Sequence, residues 1–277
     1  MKSENTPVNT LYEVDNLCAR IEKALINAGK NLNALTTDDL FFFDEIHIGG
    51  RKETRHLAEK CGLREGMSIV DAGCGVGGPA RTLAREFGCK VTGVDLTRSF
   101  CKAADMLTKL VNLDEMACFV NADATQMPFA SESYDAVWLQ HTALNIVDKN
   151  LLYSEVYRIL KRNGSLIIHE VVSGETGEVH YPVFWAADDS TNFLSTADDL
   201  QNCLQSYGFR FDFWEDATEE SLGWYRKLKA RSSSATKPPL DISVVVDRDV
   251  PSKIANLVRN LEDGNIRVVK ALAVKAD

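Results

Sequence analysis

"IVDAGCGVGGPARTLA", Ile69 to Ala84, is the stretch that decides the fold. It opens with an apolar run short enough for a buried strand. Gly73, Gly75 and Gly78 then spell G-x-G-x-x-G. Pro79 follows in the first turn of a helix, where its missing N–H costs nothing. Strand, glycine turn and helix together begin a βαβ unit whose turn accepts a nucleotide-like ligand. Several cofactors use that spelling, so the surroundings must choose among them.

Outward from this stretch the pattern repeats. "KVTGVDL" reads as a second strand, "SFCKAADMLTKLVNL" as a helix, "MACFVNAD" as a third strand and "YDAVWLQH" as a fourth. "NLLYSEVYRILKRNG" reads as a helix and "SLIIHEVV" as a fifth strand. Strands alternating with helices of about a dozen residues predict a doubly wound, mostly parallel α/β sheet. Before it, residues 1–56 read as a helical lid. "LCARIEKALINAG" spaces apolar residues helically up to a Gly29 cap, Thr37 or Asp38 caps a short helix, and Gly49-Gly50 breaks the chain. Residues 57–277 read as the main domain, with inserts at about 173–194 and 218–262. "TADDLQNCLQSYGF" is a capped helix, "RFDFWEDAT" a strand, and the chain ends in a helix, a turn at Asp263-Gly264-Asn265 and a last strand.

Four acidic or polar features surround the glycines. Asp71 precedes them and can reach an ammonium group held over the loop. Asp95 ends the second strand, where an acid accepts from ribose hydroxyls, and Leu96 follows it. Asp123-Ala124 ends the third strand and can grip an adenine. Gln140 and His141 end the fourth strand beside the same crevice. The ligand so described has a cationic amine, a ribose and an adenine, and needs no diphosphate. S-adenosylmethionine has these groups, and its carboxylate suits the amides at the N-terminus of the helix after Gly78. A nicotinamide accounts for the glycines and Asp95 but leaves Asp71 and Asp123-Ala124 without a purpose.

"VDAGCGVGGPAR", "VTGVDLT", "NADATQMPF", "SYDAVWLQH" and "ILKRNGSLIIHEV" together resemble the class I S-adenosylmethionine-dependent methyltransferases. The resemblance covers about Leu57 to Val172 closely. It implies a seven-stranded Rossmann-like sheet closed by a hairpin of strands six and seven. It also implies transfer of a methyl group, with Asp71, Gly73, Gly75, Gly77, Asp95, Leu96, Asp123, Ala124 and Gln140 around the cofactor. The glycine loop and "MPF" followed by "SYDAVW" are similar to the small-molecule branch, which includes quinone, sterol, sugar and sarcosine/dimethylglycine methyltransferases. The expected acceptor is a small molecule such as a methylated glycine; the alternative is a quinol, isoprenoid or natural product methylated on carbon or oxygen. A non-catalytic cofactor-binding scaffold is the reading from another class. His141 and Asn145 are the candidate catalytic residues. His47, Tyr181, Trp185 and Trp224 are the candidates to hold the acceptor. Where the sugar enzymes carry a His pair after strand four, this chain has Leu144 and Asn145. Where the sarcosine/dimethylglycine enzymes carry Tyr and Ala in the glycine loop, it has Val76 and Pro79.

Composition narrows the classes further. The 277 residues are 45% hydrophobic and 26% charged, with a formal net charge of -9. No basic block is present, which disfavours a nucleic-acid partner. No run approaches the ~20 apolar residues that span a bilayer, and the first residues lack a secretory core. The 7 cysteines are odd in number and none are spaced C-x-x-C. That predicts neither a disulfide framework nor a metal site, and a reducing, cytoplasmic setting. Oligomeric state has no sequence signature here.

Overall fold

The computed structural model describes residues 12–175, 178–232, 240–246 and 249–276. The extreme N-terminus and most of the Ser/Pro stretch after Ser232, both read from the sequence above, lie outside them. Seven strands form one sheet in the order β3-β2-β1-β4-β5-β7-β6. They are β1 (Ser68–Ala72), β2 (Lys90–Asp95), β3 (Ala117–Asn121), β4 (Tyr134–Gln140), β5 (Leu160–Ser173), β6 (Phe209–Asp216) and β7 (Ile266–Lys275). The first five run parallel; β7 runs antiparallel to both β5 and β6.

The helices are α1 (Leu17–Asn27), α2 (Gly50–Lys60), α3 (Gly78–Phe87), α4 (Arg98–Leu110), α5 (Lys149–Ile159), α6 (Ala197–Ser206), α7 (Thr218–Ser232) and α8 (Val250–Glu262). The period of two along each strand sorts the side chains between two cores. Val70, Val137, Leu139, Leu166 and Ile168 pack with Leu152, Val156 and Ile159 of α5 and Leu204 of α6. Their neighbours Ile69, Ala136, Trp138 and Ile167 face the other way, onto Leu57 of α2 and Ala80 and Leu83 of α3.

Strand order reverses at β1, which pairs with β2 on one side and β4 on the other. A crevice opens at the carboxyl ends of the strands at such a reversal, and there the glycine loop lies. Gly77 (φ 80°) caps α3 at its N-terminus and Gly88 (φ 66°) at its C-terminus, with Pro79 in the first turn.

Three boundaries differ from those read in the sequence. The division at residue 56 cuts α2, which is one continuous helix. Lys270 of β7 pairs with Glu53 of α2 at 2.6 Å, fixing the helix to the sheet. Helix α1 lies away from the crevice: Leu17, Ile21 and Leu25 are buried against Phe100, Ala103 and Leu107 of α4. Within residues 1–56, only the described segments before α1 and just before α2 reach the crevice. Helix α5 ends at Ile159, not at Gly164, because Leu160 already pairs with Tyr134 of β4. The β4–β5 pairing shifts register between Leu160 and Ser165, and there a Cβ on Gly164 would stand 2.8 Å from the Lys161 carbonyl. No helix among the described residues is long and apolar enough to cross a membrane.

Candidate functional site

The crevice holds a cavity of about 550 Å³. The glycine loop forms its floor. The N–H groups of Gly73 and Cys74 both donate to the Val94 carbonyl, at 2.7 and 3.0 Å, which folds the loop back over β2. Gly73 (φ 79°) approaches β4 so closely that a Cβ would overlap the Thr142 hydroxyl at 2.1 Å. Gly75 (φ 53°) has open space where its Cβ would be. The loop therefore presents bare backbone to the cavity.

Asp95 lies at the end of β2 on the cavity wall. Its two carboxylate oxygens accept the N–H groups of Gly75 (2.9 Å) and Thr97 (2.8 Å). Burial raises its pKa, and these two bonds oppose the rise. One lone pair on each oxygen remains after those bonds. Asn121 of β3 ties the two strand ends together by donating to the carbonyls of Asp95 and Leu96. Asp123 folds an Asx turn, accepting from the backbone and hydroxyl of Thr125 at 2.8 and 2.7 Å, and lines the cavity with Ala124.

At the end of β4, Gln140 is the centre of a histidine cluster. Its carbonyl oxygen accepts from the Trp138 indole at 2.9 Å. Its amide contacts Nδ1 of His47 and Nδ1 of His169, both at 3.0 Å. His47 Nε2 faces Glu45 at 2.7 Å. Thr54 and Thr82 also donate to Glu45. Burial acts to raise the Glu45 pKa, but the bonds from His47, Thr82 and Thr54 and the charge of His47 hold it below the ordinary value. His141 lines the cavity in a left-handed conformation (φ 55°), its N–H bonded to the His169 carbonyl. Its Nε2 is buried without a partner. Burial, with the His47 ring beside it, pushes its pKa down to about 3.

Much of the remaining lining is apolar, with Asp148, Ser190 and Lys253 among it. Ile146 and Leu144 follow β4, Phe184, Trp185 and Phe193 come from the segment after β5, and Val245 and Val246 from the segment before α8. The Trp185 indole N–H is already donated to Asn192 at 2.7 Å, so what Trp185 offers is ring surface.

Eleven of the residues named from the sequence line this one cavity: His47, Gly73, Gly75, Asp95, Leu96, Asp123, Ala124, Gln140, His141, Asn145 and Trp185. Four are not among the lining residues. Asp71 is buried beneath the loop, 2% exposed, and accepts the Ala80 N–H. Gly77 is needed behind the loop, where a Cβ would meet the Phe119 ring at 2.7 Å. Tyr181 turns to Asp189, 2.5 Å away, and Trp224 packs against Tyr225. Asn145 does reach the cavity, but its polar groups are engaged. It accepts from the Tyr12 hydroxyl (2.8 Å) and donates to the carbonyls of Trp185 (2.8 Å) and Thr191 (2.9 Å). It braces the roof.

Sequence reasoning missed Tyr12, Asp44 and Lys253, which also line the cavity. Asp44 carried a signal of its own: an acid after three phenylalanines in "LFFFDE" is misplaced on an apolar face unless it has a buried partner. That partner is Arg81, at 2.9 Å.

Residues 70–168 match the methyltransferase domain family. The sterol 24-C-methyltransferase of Debaryomyces hansenii is 30% identical over 202 residues, which cover 68% of this chain and 54% of that one. The chain spans about half the length of the curated relatives it matches. Two solved structures share the fold. Phosphoethanolamine N-methyltransferase 2 of Haemonchus contortus, in complex with S-adenosylmethionine, superposes with a TM-score of 0.71 at 20% identity, covering 95% of this chain and 61% of that one. Geranyl diphosphate C-methyltransferase of Streptomyces coelicolor does so with 0.67 at 17% identity, covering 98% and 99%. Sheet order, glycine loop and sequence match agree: the segment from residue 70 to 168 is a methyltransferase domain of the class I, S-adenosylmethionine-dependent kind.

Proposed function

We propose that the protein transfers the methyl group of S-adenosylmethionine to a small molecule with an apolar body. The carrying observation is that one cavity is lined both by the glycine loop, Asp95 and Asp123 and by the apolar and aromatic side chains of Leu144, Ile146, Phe184, Trp185 and Phe193. The residues present fit the cofactor. Gly75 leaves room over the loop, and two buried carboxylate oxygens nearby, on Asp44 and Asp71, lack a partner. Asp95 suits the ribose hydroxyls and Asp123-Ala124 the adenine. Asp71 lies under the loop and off the cavity wall.

When bound, the cofactor supplies a methyl group on a sulfonium, already activated for displacement. The chain's task is then to hold the acceptor in line and keep water out, which supplies roughly 7–11 kcal/mol. His141 decides what sort of acceptor is served. An imidazole whose pKa lies near 3 cannot usefully deprotonate a phenol near 10; that gap costs on the order of 10 kcal/mol. It can take a proton from a far stronger acid, such as the carbon cation left when an alkene is methylated. The low pKa of His141, with the aromatic lining of the cavity, favours a carbon acceptor of isoprenoid character. The name of the Debaryomyces relative points the same way. An amine such as a methylated glycine is the second reading. It needs no base, and the rings of Phe184, Trp185 and Phe193 suit an ammonium product.

A methyl-labelled cofactor offered with isoprenoid alkenes, amines, phenols and sugars tests this, with mass spectrometry of the product. Label in an alkene or an amine is expected. Label in a phenol or sugar would overturn the reading of His141, and no transfer to any acceptor would leave the scaffold reading.

A further inference from the structure

Of the buried side-chain polar atoms without a partner among the described residues, two belong to residues on the cavity wall: His141 Nε2 and Asp44 Oδ1. His141 faces the acceptor chemistry. Asp44 has no role in it. Its side chain is 1% exposed, and its other oxygen, Oδ2, is held by Arg81 Nη2 at 2.9 Å. A carboxylate oxygen buried without a donor is costly unless something arrives to fill it.

A cation carrying N–H donors would satisfy it. Asp44, Glu45, Asp71 and Asp95 are gathered around the loop, against the guanidiniums of Arg81 and Arg51. Glu45 is occupied by His47, Thr54 and Thr82, and Asp95 by Gly75 and Thr97. Asp71 Oδ2 lacks a partner too, but Asp71 is not on the cavity wall. Among the acids on the cavity wall, Asp44 is the one with a buried side-chain oxygen that lacks a partner.

Position narrows the ligand group. The Asp44 backbone carbonyl lies 2.1 Å from where a Cβ on Gly78 would stand, so Asp44 is seated on the first residue of α3. Arg81, four residues in from the Gly77 cap, holds its carboxylate from the same helix. The adenosine-binding positions lie at the ends of β2 and β3, so the amino-acid end of the ligand comes to the loop and α3. We infer that Asp44 receives the ammonium group of the cofactor's amino-acid end, joining the segment before α2 to the glycine loop through the ligand. The inference rests on the cofactor reading above. It gives that ammonium a contact on a part of the chain outside the matched domain.

Calorimetry with two ligands tests it without turnover. S-adenosylhomocysteine keeps the amino group; 5′-(3-carboxypropyl)thioadenosine differs in lacking it. The wild-type chain is expected to prefer the first by at least about tenfold. In Asp44→Asn the preference should fall to about threefold or less, with affinity for the deaminated ligand little changed. The double variant D44N/R81Q removes both charges of the buried pair and should behave likewise. It supplies the measurement if the single variant, with an unpaired buried guanidinium, fails to fold. An undiminished preference in either variant overturns the assignment. So does a wild type that binds both ligands equally. A wild type that binds neither overturns the cofactor reading, and this assignment with it.

Discussion

Asp95 carries the first prediction at the scale of single residues. Its oxygens already hold the loop through Gly75 and the next helix through Thr97, so the carboxylate is fixed before any ligand arrives. Asp95→Ala removes acceptors for the ribose hydroxyls, at about 1.5–3 kcal/mol per charge-assisted bond. Calorimetric affinity for S-adenosylhomocysteine should fall at least tenfold; an unchanged value would remove Asp95 from the cofactor site. His141 carries the second. A ring held near a pKa of 3 stays neutral through the physiological range, so turnover should show no loss on acidification from pH 8 to 6 that His141→Gln abolishes. If the acceptor is an alkene, His141→Gln should lower the maximal rate more than tenfold and leave cofactor affinity within about twofold, since general-base assistance contributes typically 10²–10⁴-fold. Equal turnover in wild type and variant would make His141 a wall residue. Residues such as Gly73, Gly75, Asp95, Asp123 and Gln140 were legible in the sequence because each sits at a strand end, and parallel strands bring their carboxyl ends together. Tyr12 was not, and Asp44 signalled only that it needed a buried partner, not which one. Their partners, Asn145 and Arg81, lie 133 and 37 residues away, and nothing local encodes the pairing. Tyr181 and Trp224 misled because an aromatic in an insert is as useful to the insert's own packing as to a ligand.

At the scale of elements, the strand–helix alternation was read correctly and the connections less so. Buried strands and amphipathic helices carry strong periodicity, while the joint between α5 and β5 is set by Leu160 pairing with β4, a contact with no local signature. The segment read as a lid shows the same limit. Its glycines were visible, but the bonds that hold it were not: Arg51 to Asp38, Asp44 to Arg81, Glu45 to Thr54 and Thr82, and His47 to Gln140. Held on that many sides, it is a wall of the cavity, and Gly49-Gly50 is the turn that starts α2. Gly78 and Gly50 distinguish the wall from the turn. Gly78→Ala drives a methyl group onto the Asp44 carbonyl, a backbone atom that cannot swing aside. It should cost about 1–3 kcal/mol in thermal unfolding and, by shifting Asp44, weaken cofactor binding as well. Gly50→Ala meets nothing within 4 Å and pays only for its positive φ of 54°, roughly 1–2 kcal/mol. It should leave cofactor affinity unchanged. If Gly78→Ala binds the cofactor as wild type does, α3 and the segment carrying Asp44 are not coupled.

For the molecule as a whole, the buried acids make stability depend on pH in an unusual direction. Burial, with Glu45 and Asp95 adding to it, pushes the Asp71 carboxyl up to about 8. Burial raises Glu170 to about 7, opposed by the N–H groups of Ala143 and Thr142. In the unfolded chain both return to about 4. Between those values the folded protein binds more protons than the unfolded one, so stability falls as pH rises and is lowest above 8. The histidines work oppositely. His141 and His169 are held neutral by burial, so stability is lost as pH falls below the unfolded value of about 6.5. Lys149, lowered to about 8, acts mainly above that pH. The ligand-free protein should therefore be most stable between about pH 5 and 6, losing on the order of 2 kcal/mol from pH 6.5 to 8. For a chain of this size that lowers the melting temperature by several degrees. Asp71→Asn, which replaces the carboxyl with a neutral isostere, should flatten most of that slope and raise the melting temperature at pH 8. A cationic ligand at the loop changes the balance, because its field favours the ionised carboxylates that the empty protein tolerates poorly. Saturating S-adenosylmethionine should therefore raise the melting temperature more at pH 8 than at pH 6.5, and the uncharged-sulfur analogue S-adenosylhomocysteine should do so less. Differential scanning calorimetry at the two pH values reads all of these. A ligand-free melting temperature that rises from pH 6.5 to 8 would mean that Asp71 and Glu170 are ionised and satisfied in the folded protein, and that the charge at the loop is balanced from within the chain.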